Sequence, residues 1–413
     1  MKMIMRFWMV FLIAGIIAPA SVQAEQPPPP PDDTAFIEML GRAPVSEGAV
    51  YYVHTAATYP EDDDALADAS PLLPLPFMAR WVSVPDDLSA LGLIYEQMPD
   101  VMGFAYPALE HVLSFGQPPQ VGVIWRGAFD IERVTAAHLA RDFVSAEIDG
   151  INALCGFVGC AEQPAINTAN ALQGNLFDPA LGRDLPFLIA PVNDEQTDLL
   201  SVHQVDLLPE VAAALNRASP SLLDDDRYRT LAIALTDGRH FEGTLVQAEF
   251  VPVTEAVNQS YNFRRAETIQ QLPRNLRPFN PDERVPLWAQ GYRDLPLYGD
   301  LIALADRQEG DERVLVIAVL YDFEGNAEFA APVLRQRIET FANTGQTLSE
   351  VPLVEERNAS VSHHSYADES GMGAAVITVR YTAPEDEADS LYRVFIRAIQ
   401  NSLFYPLWDV TLP

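Results

Sequence analysis

Lysine is almost absent from this chain: Lys2 is the one lysine among 413 residues. Without a side-chain amine there is no Schiff-base aldolase, no lysine-bound pyridoxal phosphate, no phosphate-loop lysine and no Ser–Lys dyad. The remaining cations are arginine, charged at any working pH. Cysteine is nearly as scarce, with only Cys155 and Cys160. There is no G-x-S-x-G, no H-E-x-x-H, no G-x-G-x-x-G after a strand and no cysteine–histidine zinc pattern. The five tryptophans are scattered and build no aromatic platform. After the N-terminus no apolar run reaches the roughly 20 residues that span a bilayer.

What the chain has in excess is acid. Its formal charge is −32. Such a body repels nucleic acid and anionic lipid, and it favours basic partners or divalent cations. The 48% hydrophobic content supplies real cores.

The first residues read as a secretory signal peptide, 1–24. Lys2 and Arg6 precede the apolar run Phe7–Ala18, and Val22-Gln23-Ala24 offers the small residues of a cleavage site. No cysteine follows that site to carry a lipid anchor. The expected location is secreted, periplasmic or otherwise extracytoplasmic. There, the two cysteines of CGFVGC are expected to pair as a disulfide, Cys155–Cys160.

Residues 25–31 form a proline-rich spacer, extended because proline donates no backbone hydrogen bond. From there the chain divides by composition. An N-terminal α+β domain covers 32–263, an arginine- and proline-rich linker 264–284, and a C-terminal α+β domain 285–413.

In the first domain Asp33 opens a short helix to Leu40, and Val50–Thr55 is a strand. The stretch to Pro119 is proline-broken and reads as an elaboration, with one helix from Asp86 or Asp87 to about Met98. Val121–Trp125 is a strand, Asp130 caps a helix, and Phe143–Ile148 joins Ile151–Cys155 through the Asp149-Gly150 turn. Phe187–Ala190 and Leu199–His203 are short strands. Asp206 and Asp224–Asp226 start two helices, the second stopped by Asp237-Gly238, and Leu245–Val251 is a strand.

The C-terminal domain centres on Arg313–Asp322, RVLVIAVLYD, the strongest strand signal in the chain. Leu301–Ala305 leads into it. A helix to about Ala342 follows, with Pro332 placed in its first turn or kinking it. Then come strands Ala359–Tyr366 and Ala374–Tyr381, an amphipathic helix over 391–399 and a closing strand Leu407–Leu412. The order β-α-β-β-α-β is ferredoxin-like, with both helices on one face of the sheet. The 120–251 region starts in the same way, so the expectation is α+β with two ferredoxin-like lobes.

Candidate chemistry is sparse. Asp62, Asp63 and Asp64 sit in an acidic loop and are candidate calcium ligands; the expectation is otherwise no cofactor. His363 is a candidate metal ligand, but as a strand neighbour of His364 it points to the opposite face, so the two do not meet one ion. Asp322 and Glu324 close the central strand without a matching acid. The expected function is an exported, non-enzymatic protein that binds a protein or a small molecule. The alternatives are a metal-dependent hydrolase whose acids and histidines meet only in three dimensions, and a structural envelope or secretion component.

Overall fold

The run centred on Val316 has apolar side chains on both parities, and that sets its place. A half-exposed strand alternates apolar with polar; one that is apolar throughout needs cover on both faces. The computed structural model describes residues 31–58, 80, 95–156, 159–162, 185–252, 299–340, 352–384 and 390–400. The signal peptide, the acidic loop 61–64, the linker 264–284 and the closing strand 407–412 lie outside the described residues.

In chain order the elements are α1 (Pro31–Leu40), β1 (Ala49–His54), β2 (Leu109–Gln117), β3 (Gln120–Gly127) and α2 (Ile131–Leu139). Next come β4 (Val144–Ile148), β5 (Ile151–Cys155), β6 (Phe187–Pro191), β7 (Thr197–Val202), α3 (Leu208–Leu215) and α4 (Asp226–Thr236). The last are β8 (Thr244–Pro252), β9 (Leu301–Glu309), β10 (Glu312–Tyr321), α5 (Glu324–Thr340), β11 (Ser360–Ala367), β12 (Gly373–Thr382) and α6 (Leu391–Gln400). The protein is therefore α+β, and among the described residues it is built on one antiparallel sheet of twelve strands in the order β11-β12-β10-β9-β8-β1-β2-β3-β7-β6-β5-β4.

Helices cover both faces. On one, α1, α3 and α4 bury Phe36, Met39, Val211, Leu231 and Leu235 against Val50, Leu113, Phe250, Val314, Val316 and Val376. On the other, α5 and α6 bury Leu334, Ile338, Phe395 and Ile396 against Leu315, Ile317, Val319 and Ile377. There α2 sits over Trp125, Leu154 and Phe187 in a separate cluster. The two C-terminal helices share one face, as their order suggests, but the expectation of a sheet covered on one face only is corrected, because a second helix layer lies on the other. The second layer over β10 is α4, contributed from before β8. Each buried Val, Leu or Ile stabilises by roughly 1.5–3 kcal/mol, so doubling the cover of β10 is a large term.

Local signals act as read at several points. Asp130 accepts from the Arg133 amide and caps α2. Asp149 (φ 49°) and Gly150 (φ 82°) turn β4 into β5. Asp225 caps α4. Asp206 does not cap α3; it lies in a 3-10 turn, and Leu207 precedes the helix with no side-chain cap. Asp237 ends α4 in extended backbone, so Gly238 is not used as a left-handed cap. Pro332 falls in the middle of α5, exposed on its outer side, and not in the first turn. β2 goes unread in the sequence because prolines on either side mask it.

Three ion pairs seat α1 and the turn after it across the middle of the sheet. Asp33 accepts from Arg307 of β9 at 2.9 Å. Glu38 accepts from Arg126 of β3 at 2.9 Å, and Arg42 donates to Asp198 of β7 at 2.9 Å. Arg126 also holds Asp198 through two nitrogens, at 2.8 and 3.0 Å.

Candidate interaction edge

The two terminal strands of the sheet are unlike each other. β4 has five residues, carries exposed Glu147 and is bounded by left-handed Asp142 and Asp149. Shortness and charge are how proteins blunt a sheet edge against unwanted pairing. β11 has eight residues, Ser-Val-Ser-His-His-Ser-Tyr-Ala, with no carboxylate, lysine, arginine or proline. It pairs with β12 in unbroken register from Ser360↔Arg380 to Ala367↔Gly373. On its other side no described strand pairs with it. Its residues are exposed or half-buried throughout.

Register fixes which way each side chain faces. His363 lies opposite Ile377, whose side chain belongs to the α5 layer, and His364 lies opposite Val376, on the α4 side. The two histidines are thus on opposite faces. His363 is exposed, and among the described residues no three His, Cys, Asp or Glu side chains gather as a metal site. Asp62, Asp63 and Asp64 lie outside the described residues. Asp322 and Glu324 are exposed beside the start of α5.

What His364 does meet is His240. Their rings stack with centroids 3.6 Å apart and planes 12° from parallel. The loop after α4 delivers His240. The Asp237 carbonyl accepts from the His240 and Phe241 amides, and Phe241 is buried as an anchor, with Arg307 over its ring at 5.2 Å. Arg380 of β12 donates to the His240 carbonyl at 3.2 Å. His240 itself is exposed. Burial, then the neighbouring His240 ring, hold the His364 imidazole neutral, its pKa pushed down to about 4.

Arginine partners hold the surrounding carboxylates. Asp237 takes Arg239 at 2.5 and 2.9 Å, which outweighs the effect of its burial and lowers its pKa. Asp368, just past β11, accepts from Thr230 at 2.9 Å, Ser370 at 2.5 Å and Arg229 at 3.3 Å. Its pKa also falls, against the effect of burial. Burial and these two acids raise the pKa of the Tyr366 hydroxyl. Ser362, His364 and Tyr366 share the α4 side of β11 because they are two residues apart. The outcome is a backbone edge with no neighbouring strand among the described residues, flanked on that side by a ledge of rings.

Sequence reading finds β11 as a strand but misses its place at the edge and the His240 partner. The polar Ser/His content of β11 beside the apolar alternation of β12 is the signal that could have placed it outermost.

Three other histidines, His54, His111 and His138, are buried in the interior. His111 shares a 2.9 Å hydrogen bond with the Tyr52 hydroxyl and lies 4.4 Å from the His54 ring. Burial, then His54 and Arg126, push its pKa down to about 2. His138 donates from Nδ1 to the Val134 carbonyl at 2.8 Å, and burial takes its pKa to about 4. Cys155 and Cys160 form the expected disulfide. No described helix is long and apolar enough to cross a membrane.

No family model and no curated protein matches this chain. Among solved structures, two crystal forms of TP0453 match it weakly. Form I has a TM-score of 0.33 and 9% identity, covering 88% of this chain and 96% of that one. Form III has a TM-score of 0.33 and 10% identity, covering 86% and 96%. At these values the likeness assigns neither a fold to this chain nor a role to any residue.

Proposed function

We propose that this is an exported binding protein that takes up an extended polypeptide segment as an added strand on β11. The observation that carries the reading is the contrast between the two sheet margins. One is short and charged, as margins guarded against pairing are; the other is long, flat in register and free of charge. Strand addition draws affinity from main-chain hydrogen bonds and specificity from alternate side chains, and β11 offers both. Export agrees with the signal-like N-terminus and the Cys155–Cys160 disulfide.

In this reading the two halves of the sheet are related units of ferredoxin-like character. β10, α5, β11 and β12 follow a split β-α-β path, with β9 in the place beside β10 that a fourth strand would take. β2-β3-α2-β4-β5 repeats the order of β9-β10-α5-β11-β12, with the β6–β7 hairpin set between β3 and β5.

A random-peptide display selection on the mature protein tests the proposal. Proline at Ser362 and at His363 supplies the control, because neighbouring strand residues point their N–H groups in opposite directions and one of the two faces outward. The expected result is enrichment of peptides with a two-residue repeat that bind the wild type and fail on the folded outward-facing proline variant. Peptides that bind that variant equally well would place recognition elsewhere and end the proposal.

A further inference from the structure

We infer that the segment received by β11 is basic, with arginine or lysine side chains lying on the ledge formed by His364, His240 and Tyr366. The inference rests on the strand-addition reading and adds the chemistry of the partner.

Two independent observations lead to it. The first is the ledge. Side chains directly opposite each other on paired strands have Cβ atoms about 4.5–5.5 Å apart. A segment added to β11 therefore sets alternate residues against Ser362, His364 and Tyr366. His364 is already one layer of a ring stack, and its Nε2 is buried without a hydrogen-bond partner. What the site presents to a neighbour is ring surface. Planar guanidinium groups stack on rings, and ammonium groups are drawn to their faces.

The second is charge. Beside the ledge Asp237 pairs with Arg239, Asp368 with Arg229 and Glu309 with Arg380, so the local charges are matched. The chain as a whole carries −32. That field draws a cationic segment in and slows an acidic one. A second copy of this chain would bring a β11 that suits the backbone edge but also a second body of the same sign.

Three capped peptides of about ten residues, alternating threonine with arginine, glutamine or glutamate, decide the matter on the mature protein. Fluorescence anisotropy gives affinities, and hydrogen exchange reports the amides of 360–367. The arginine peptide should bind about tenfold or more tighter than the glutamine peptide, and weaken as salt rises from about 50 to about 500 mM. It should protect the β11 amides and lose about threefold or more in affinity with His240→Ala or Tyr366→Ser, both at the surface of the ledge. Glutamine or glutamate peptides that protect β11 as well as arginine would overturn the inference while leaving strand addition standing. Concentration-dependent protection of β11 without peptide, with a dimer in sedimentation, would overturn it in favour of a second copy. No protection by any of the three, from a protein that stays monomeric, would count against strand addition itself.

Discussion

Asp33 and Arg307 meet at 2.9 Å with both side chains fully buried, though 274 positions separate them in the chain. Arg307 also donates to the carbonyls of Leu235 and Gly243, so one guanidinium ties α1, α4 and the start of β8 to β9. Breaking a buried pair from one side leaves a charge without compensation, at about 3–5 kcal/mol. Asp33→Ala is therefore expected to lower stability by about that amount in urea unfolding. The double change Asp33→Leu with Arg307→Met should recover a large part of it, because it removes both charges. A single change that costs as little as a surface substitution would show the pair to be unimportant.

Stability should fall in mild acid. His138 and His364 have folded pKa values near 4, and His111 near 2, against an ordinary value of 6.5. Between those values the unfolded chain binds protons that the folded chain refuses, so stability rises with pH across that window. The melting temperature should be level above about pH 7 and drop steadily from about 6.5 towards 4. Asp225, Asp237 and Asp368, whose folded pKa values are lowered, add to the loss as pH falls through the carboxylate range. His138→Leu should flatten part of the upper limb, read by thermal melts over a pH series. A melting temperature unchanged from pH 7 to about 4.5 would contradict the burial of these rings.

The disulfide closes a short ring between residues 155 and 160. Cys155→Ser with Cys160→Ser is expected to cost about 2 kcal/mol, the loop-entropy value for a ring of this size. Alkylation of unreduced, denatured protein should label no thiol; two labelled cysteines would refute the pairing.

Glycines divide by their surroundings. Gly243 has φ +134°, and a Cβ there would stand 2.1 Å from the Gln308 carbonyl oxygen. Gly310, in the β9–β10 turn, has φ +61° and open space around it. Gly310→Ala should cost about 1–2 kcal/mol from the left-handed backbone alone. Gly243→Ala should cost clearly more, because the β8–β9 pairing must also shift. Equal melting temperatures for the two variants would contradict that close approach.

Much of the fold was legible because local rules act over few residues. Asp130 and Asp225 cap helices, Asp149-Gly150 makes a hairpin, and β10 announces itself by composition. Less of the candidate site was legible. His240 and His364 are far apart in sequence, and nothing in either segment says that they stack. β2 was hidden by its flanking prolines, and its pairing with β1 and β3 makes it a strand.

The amino-acid sequence by itself determined most of the strands and helices, the parity of apolar residues along them, and the net charge. Those properties follow from backbone sterics, side-chain shape and the count of ionisable groups, all local or additive. Only the tertiary structure decided that the strands join one sheet, that α4 returns to cover β10, and that β11 is left at the rim with a ring ledge beside it. Those outcomes depend on which surfaces bury each other, a choice made between segments far apart in the chain.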